Sequence, residues 1–339
     1  MREQLLGKTP EELKEIALNV GLPAFTGKQI AQWMYGRKVR SFDEMTNISK
    51  VGRERLKEEY SLGVTMPSMC QVSSDGTKKY LFPIGEGNAV EAVMIPDDDR
   101  KTLCVSSQAG CRMGCRFCMT GRQGFHGNLT VAEILSQFIA IDEAPELTNA
   151  VFMGMGEPLD NFGNVMKAIE VLTADWGFGW SPKRITLSTI GVLPNLRKYL
   201  DSTRCHLAVS LHNPFPDERA ELMPVQKAWP VQEVIDMIRE YDFTGQRRVS
   251  FEYTMFAGLN DDKRHADALI RLLRGLECRV NLIRFHKIPD APFDTTPQII
   301  MERFRDRLSN HGITCTIRAS RGEDILAACG MLAGEHSSK

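Results

Sequence analysis

The chain has 339 residues, 42% of them hydrophobic and 25% charged, with 42 Lys and Arg against 43 Asp and Glu and a formal net charge of -1. These proportions exclude wholesale disorder and a globally basic coat, and they leave room for a local basic face that binds nucleic acid. No run of about 18 apolar residues occurs, so no membrane-spanning helix is expected, and the opening Met1-Arg2-Glu3-Gln4-Leu5-Leu6 carries no secretory leader pattern. Nine irregularly spaced cysteines argue against a disulfide scaffold and for the reducing cytoplasm.

Residues 1–60 read as a small helical unit. Thr9-Pro10-Glu11-Glu12 supplies an N-cap, a first-turn Pro and first-turn acids, Leu13, Ile16, Ala17 and Val20 follow at helical spacing, and Gly21 ends the stretch. Further helices are expected over 28–35 and 52–60. The cluster Arg37-Lys38-Val39-Arg40 reads either as a solvated turn or as a phosphate contact. Residues 61–100 read as a short β extension: Lys79-Tyr80-Leu81-Phe82 and Ala89 to Ile95 flank the turn Gly85-Glu86-Gly87-Asn88, and Pro96 with three Asp marks an exit loop.

From residue 102 apolar strand-like runs alternate with amphipathic helices. Strands near 103–105, 150–153, 184–187, 207–209, 249–253 and 279–283 each precede a helix, and a last apolar run lies at 313–317. Thr130 and Glu133 form a capping box for the first of these helices. Six βα units predict an α/β fold with a parallel sheet, either wound into a partial barrel over 101–330 or doubly wound. Residues 331–339 are expected to form a loose tail.

Cys111-Arg112-Met113-Gly114-Cys115-Arg116-Phe117-Cys118 packs three cysteines into eight positions, with Gly110 and Gly114 allowing a tight wrap. One reading is a structural zinc site, with Cys104 or His126 as the fourth ligand. The other is an iron–sulfur cluster on three thiolates, which leaves one iron open to a small molecule. Phe117 would shield it from water. This spacing, with an aromatic before the last Cys, resembles the signature of the radical S-adenosylmethionine superfamily. That resemblance implies a partial (β/α)6 barrel, a [4Fe-4S] cluster held by Cys111, Cys115 and Cys118, and S-adenosylmethionine on the open iron.

Gly154-Met155-Gly156-Glu157-Pro158 directly follows a strand; its small residues permit close backbone approach to a ligand, and Glu157 can accept from an ammonium. It resembles the superfamily motif that holds the cofactor's amino group. Ser188-Thr189-Ile190-Gly191, Ser210-Leu211-His212 and His286 stand at the carboxyl ends of successive strands, where barrel active sites are built. Cys329, in Ala327-Ala328-Cys329-Gly330, reads by composition as an inert buried thiol, as do Cys70, Cys205, Cys278 and Cys315.

Together with Val90-Glu91-Ala92-Val93, Leu103-Cys104-Val105-Ser106-Ser107-Gln108, Val280-Asn281-Leu282-Ile283 and Arg321-Gly322-Glu323-Asp324-Ile325, these stretches resemble the RlmN and Cfr adenosine methyltransferases across nearly the whole chain from residue 90. The helical front is similar in kind to that family's accessory RNA-binding domain. Pro158 favours the RlmN branch, which methylates adenine C2; Arg284 and His286 depart from its usual pattern, so Cfr-like C8 methylation stays as the alternative, beside a non-enzymatic zinc protein that binds RNA.

The resemblance implies that Gly156, Glu157, Ser188, Ser210, Leu211, His212 and His286 contact the cofactor and that two S-adenosylmethionines are used per turnover. Cys329 would receive a methyl group from one. The second would yield a deoxyadenosyl radical that removes a hydrogen from methylated Cys329, and the resulting carbon radical would add to adenine C2. Glu91 would accept the proton, and Cys104 would pair with Cys329 to release the product. The implied substrates are an adenosine of 23S rRNA at the peptidyl-transferase centre and the adenosine 3′ of the anticodon in tRNA, each drawn out of its stack. A flavodoxin or ferredoxin would supply electrons to a monomeric enzyme. Arg122, Lys183, Arg247, Arg248, Arg284, Lys287, Arg318 and Arg321 are candidates for a basic rim around a mouth wider than that of an eight-unit barrel.

Overall fold

The alternation that begins near residue 102 becomes one sheet in which every strand lies beside its predecessor in sequence. A computed structural model describes residues 2–245 and 247–334. Its main sheet has ten strands, numbered in chain order: β1 (Met69–Val72), β2 (Lys78–Ile84), β3 (Asn88–Asp97), β4 (Arg100–Cys104), β5 (Asn149–Phe152), β6 (Ile185–Thr189), β7 (His206–Ser210), β8 (Val249–Met255), β9 (Arg279–Arg284) and β10 (Thr314–Ile317). Strands β4 to β10 are parallel, and β1 to β4 form an antiparallel meander on the β4 edge. The sheet has two free ends, β1 and β10, and carries the six βα units and final strand that the periodicity predicts; of the two windings that pattern left open, the carboxyl ends of β5 to β9 gather around one cavity, the open α/β barrel that the resemblance implied.

Parallel strands buried on both faces need continuous apolar runs. Leu207, Ala208 and Val209 of β7 form such a run, whereas β6 and β9 alternate and bury Ile185, Leu187 and Thr189, and Val280 and Leu282. The covering helices include Val131–Ile139, Phe162–Thr173, Leu193–Ser202, Val231–Arg239, Lys263–Leu272 and Gln298–Ser309. The Thr130–Glu133 capping box forms. Pro96, read as the start of an exit loop, stays in β3 opposite Lys101; β2 has already ended its pairing at Met94, so no hydrogen bond is lost to the missing N–H on that side.

The helical front contains Pro10–Asn19, with the Thr9–Glu12 capping box, Thr26–Ala31 and Lys50–Glu59. Its two-residue strands Glu3–Gln4 and Tyr60–Ser61 pair in parallel. The basic cluster is neither a solvated turn nor a free phosphate site. Lys38 Nζ donates to Ala144 O, and Arg40 Nη2 reaches Ile139 O at 3.4 Å and Ile141 O at 3.2 Å. Ile139 is the last residue of the helix Val131–Ile139, and Ile141 and Ala144 lie in the segment just after it, so Arg40 caps the helix end, Lys38 holds the following turn, and together they dock the front onto the barrel.

The described part of the expected loose tail is packed. Met331 and Leu332 are buried, and Leu332 O accepts from Thr120 Oγ1 at 2.7 Å; residues 335–339 lie outside the described residues. Among the described residues, no helix is long and apolar enough to cross a membrane.

Candidate active site

The three-cysteine loop leaves a small hairpin, Gln108–Gly110 against Phe125–Asn128. Gly110 has φ +66°, and a Cβ there would stand 1.9 Å from Gly124 O, so only glycine closes the loop. Cys111 N donates to Gly124 O at 2.7 Å and Cys118 N to Cys115 O at 3.2 Å, which folds the loop inward. Cys111, Cys115 and Cys118 then line one cavity of about 160 Å³ with Gly156, Glu157, Ser188, Ser210, His212 and Cys329. Desolvation pushes the Cys111 thiol up to about 12, and it raises Cys115 and Cys118 too. Phe117 stands edge-on to His212, ring centroids 4.9 Å apart, in an apolar wall with Phe256, Phe285 and Met223, the shielding position expected of it.

The glycine motif after β5 is dictated first by packing. A Cβ on Gly154 would lie 2.7 Å from Ser106 Oγ and 2.8 Å from Val105 O; one on Gly156, at φ +96°, would lie 2.5 Å from Gln108 Cβ. The motif is therefore laid directly on the loop leading to the cysteines, and Gly156 still faces the cavity. Glu157 is buried and accepts from Thr189 Oγ1 (2.6 Å), Ile190 N (2.9 Å) and Leu159 N (3.0 Å). Burial outweighs these donors and lifts its carboxyl to about 7. The side chain thus ties the end of β5 to the end of β6 and presents a carboxyl that an ammonium would ionise.

Ser188 and Ser210 end β6 and β7 and reach the cavity. His212, at φ +57°, is pinned by neighbours: its Nδ1 accepts Thr254 N at 2.9 Å, and its carbonyl accepts Asn260 Nδ2 at 2.7 Å. The ring proton therefore sits on Nε2. Burial, with the field of Arg219, depresses His212 to about 3, so the ring is neutral. Leu211 is fully buried and does not line the cavity; its amide and carbonyl join Glu252 O and Arg219 Nε. His286 does not line it either. Its Nε2 is 2.9 Å from Ser320 Oγ and its Nδ1 is 3.2 Å from Glu323 Oε1, so it braces the C-terminal segment.

Cys104 and Cys329, both free thiols, line a second cavity beside the first, together with Cys118 and Arg318. Burial and the neighbouring Cys329 raise the Cys104 thiol to about 12, and Arg318 opposes the rise. Cys329 is exposed, unlike the inert buried thiol its composition suggests; Cys70 is exposed as well, whereas Cys205 and Cys315 are buried. Glu91 is buried away from both cavities. Its Oε1 pairs with Lys79 Nζ at 2.9 Å, and its Oε2 accepts Ala333 N at 2.8 Å and Gly334 N at 3.3 Å.

Two cavity or support residues escape the sequence reading, Glu252 and Arg219; Thr189 and Arg318 are named there, but not as the partners of Glu157 and Glu252. Glu252 is buried in the cavity wall, bound by Ser250 Oγ, Asn281 Nδ2 and Arg318. Only its place on a strand among apolar neighbours signalled it. The rim divides. Lys183, Arg247 and Arg248 precede β6 and β8, at the strand starts opposite the cavity, and Arg247 is buried against Leu200 O and Cys205 O. Arg318 lines the cavity.

Among the described residues, no three His, Cys, Asp or Glu side chains converge to share a single ion. The donors suit a larger anionic group: three thiols face one cavity, and the helix bonded to their loop through Arg116 N and Leu222 O carries a buried guanidinium, Arg219, with no carboxylate partner among the described residues. A cluster on three thiolates carries the negative charge that this arrangement lacks.

Two family descriptions match the chain: the Radical SAM superfamily over residues 105–269 and the ribosomal RNA large subunit methyltransferase N-terminal domain over residues 3–62. It is 61% identical over 328 residues to a probable dual-specificity RNA methyltransferase RlmN of Porphyromonas gingivalis strain W83, covering 97% of this chain and 96% of that one. It is 43% identical to a dual-specificity RNA methyltransferase RlmN of Syntrophus aciditrophicus, covering 96% and 94%. The crystal structure of a radical SAM methyltransferase from Sphaerobacter thermophilus superposes with a TM-score of 0.94 at 39% identity, over 98% of this chain and all of that one. With the three-cysteine loop, the glycine motif and the helical front all in their expected places, the chain belongs to the RlmN family of radical-SAM RNA methyltransferases.

Proposed function

We propose that this enzyme methylates C2 of adenosine in 23S rRNA at the peptidyl-transferase centre and in tRNA 3′ of the anticodon. The observation that carries the reading is the adjoining pair of cavities: one gathers Cys111, Cys115, Cys118, Glu157, Ser188, Ser210 and His212, the other joins Cys104 to Cys329, and Cys329 belongs to both. Such a site puts a thiol between a place for a sulfonium cofactor and a second thiol.

Adenine C2 is electron-poor, so displacement on a sulfonium does not reach it. Cys111, Cys115 and Cys118 would hold a [4Fe-4S] cluster, which with S-adenosylmethionine would supply radical chemistry. Glu157 holds the cofactor ammonium, and Ser188, Ser210 and neutral His212 fix its remaining polar groups. Cys329 carries the methyl group to the base. Glu91 accepts the proton lost from C2. The Cys104 thiolate attacks the Cys329 sulfur, the S–C bond breaks with its electron pair on carbon, the carbon leaves with the RNA and takes up a proton to become the methyl group, and the disulfide left behind is reduced by two thiols or a dithiol before the next turnover. Two S-adenosylmethionines are consumed, one for the methyl group and one for the radical. A flavodoxin or ferredoxin supplies the electron to a monomer working in the reducing cytoplasm.

The test is anaerobic reconstitution with iron and sulfide, followed by reaction with unmodified 23S rRNA and tRNA and mass spectrometry of the nucleosides. The expected product is 2-methyladenosine in both. Methylation at C8 instead assigns the alternative chemistry, and colourless protein holding stoichiometric zinc overturns the radical reading.

A further inference from the structure

Arg219 lies on the helix Pro216–Leu222 and is fully buried. Its Nε donates to Leu211 O at 2.9 Å, its Nη2 to Ser210 O at 2.9 Å, and its Nη1 to Gln226 Oε1. Among the described residues, no carboxylate pairs with it. A buried cation that meets only neutral acceptors is costly unless an anion arrives.

The group that can bring an anion beside its helix is the cysteine set. The same helix backs the cysteine loop: Arg116 N donates to Leu222 O at 3.0 Å, and Cys115 packs on the apolar group that contains Leu222 and Met223.

We propose that Arg219 is a positioning residue that supplies the counter-charge of the three-thiolate cluster and makes the cluster easier to reduce, while its fork fixes the Ser210 and Leu211 carbonyls at the end of β7. The inference rests on the cluster reading above. One guanidinium serves both ends. Adding an electron to the cluster adds negative charge, which a nearby fixed cation stabilises in a dry site. The same group locks the strand end that presents Ser210 and His212.

Gln226 offers a gentle handle. Its Oε1 accepts from Arg219 Nη1 and from Val231 N (3.1 Å), and both bonds survive in Gln226→Glu. That change sets a carboxylate on the guanidinium and cancels its field without removing the fork. Redox titration of the reconstituted holoenzyme with dithionite, followed by electron paramagnetic resonance, reads the effect with and without S-adenosylmethionine. In Gln226→Glu and Arg219→Gln the reduced-to-oxidised ratio at fixed potential is expected to fall about tenfold, a midpoint about 59 mV more negative for one electron. Arg219→Lys is expected to stay within about threefold of the parent.

Iron and sulfide contents separate the two claims. A parent protein that binds neither overturns the cluster reading. Loaded Gln226→Glu that titrates with the parent, or a shift seen only when S-adenosylmethionine is present, overturns the role of Arg219 even if Arg219→Gln does not fold.

Discussion

Glu91 Oε2 accepts the backbone N–H of Ala333 at 2.8 Å, so the segment that follows Cys329 is fastened to the carboxylate proposed to take the substrate proton. The fastening is one of several. Met119 N donates to Gly330 O at 2.8 Å, and on the other side of Cys329 Asp324 accepts Ser73 Oγ and Ser74 N. Cys329 thus sits between two anchored stretches, and Glu91 stays occupied while the segment is down. Ala333→Pro removes the shorter of the two donors to Glu91 Oε2 and leaves only Gly334 N at 3.3 Å. A hydrogen bond to a charged group is worth about 1.5–3 kcal/mol, so amide exchange over 329–332 and alkylation of Cys329 are both expected to speed up about tenfold or more. Unchanged rates would show that the strap is held without Glu91.

The two thiols divide the reaction between them. Cys329→Ala is expected to lose methyl transfer to background while S-adenosylmethionine cleavage persists, because none of the proposed cofactor contacts is touched. Cys104→Ala is expected to accumulate a covalent protein–RNA adduct, visible as a retarded band on a denaturing gel. Full turnover by either variant removes that thiol from the mechanism.

Much of this was legible before the structure. The six strand–helix units and the cysteine loop follow from periodicity and spacing, because parallel strands bury apolar residues and helices carry their caps in sequence. What stayed hidden depends on contacts between distant segments. Lys38 and Arg40 find carbonyls about a hundred positions away, and no local pattern distinguishes such a pair from a solvated one. Arg219 looks like any last-turn helical cation until Ser210 and Leu211 close over it. His286 shares a strand-end position with Ser188 and Ser210, yet its ring turns to Ser320 because the C-terminal segment crosses there. Position along a strand was readable; the direction of the side chain was not.

Glu157 gives a pH dependence with a definite sign. Its carboxyl is raised to about 7 by burial, so in the empty site its contribution to stability is fully present below the unfolded value near 4.5 and is lost as pH rises toward 7. That loss is at most about 3 kcal/mol. Cofactor binding runs the other way, because an ammonium needs the ionised form. The affinity of the cluster-loaded enzyme for S-adenosylmethionine should rise up to about tenfold per pH unit below 7 and level off above it. Calorimetry from pH 5.5 to 8.5 checks this, and Glu157→Gln should flatten the profile and weaken binding throughout. A steep profile that survives in Glu157→Gln would assign the titration to another group.

The docking of the helical front makes the last prediction. Lys38 is half-buried, and burial lowers its pKa, so its ammonium is desolvated against Ala144 O rather than free to meet phosphate. Arg40 is more exposed and contributes less. Replacing both with Ala removes the donors to Ile139 O, Ile141 O and Ala144 O, at the end of the helix Val131–Ile139 and in the segment after it, and should cost about 1–2 kcal/mol. The barrel, its cysteine loop and its cofactor site lie outside this contact, so S-adenosylmethionine cleavage without RNA should be unaffected. A front that is no longer held in register with the barrel should raise the KM for RNA more than it lowers kcat, and limited proteolysis should cut near residue 62 faster than in the parent. A direct phosphate role predicts something different: weaker RNA binding with unchanged proteolysis and unchanged melting temperature.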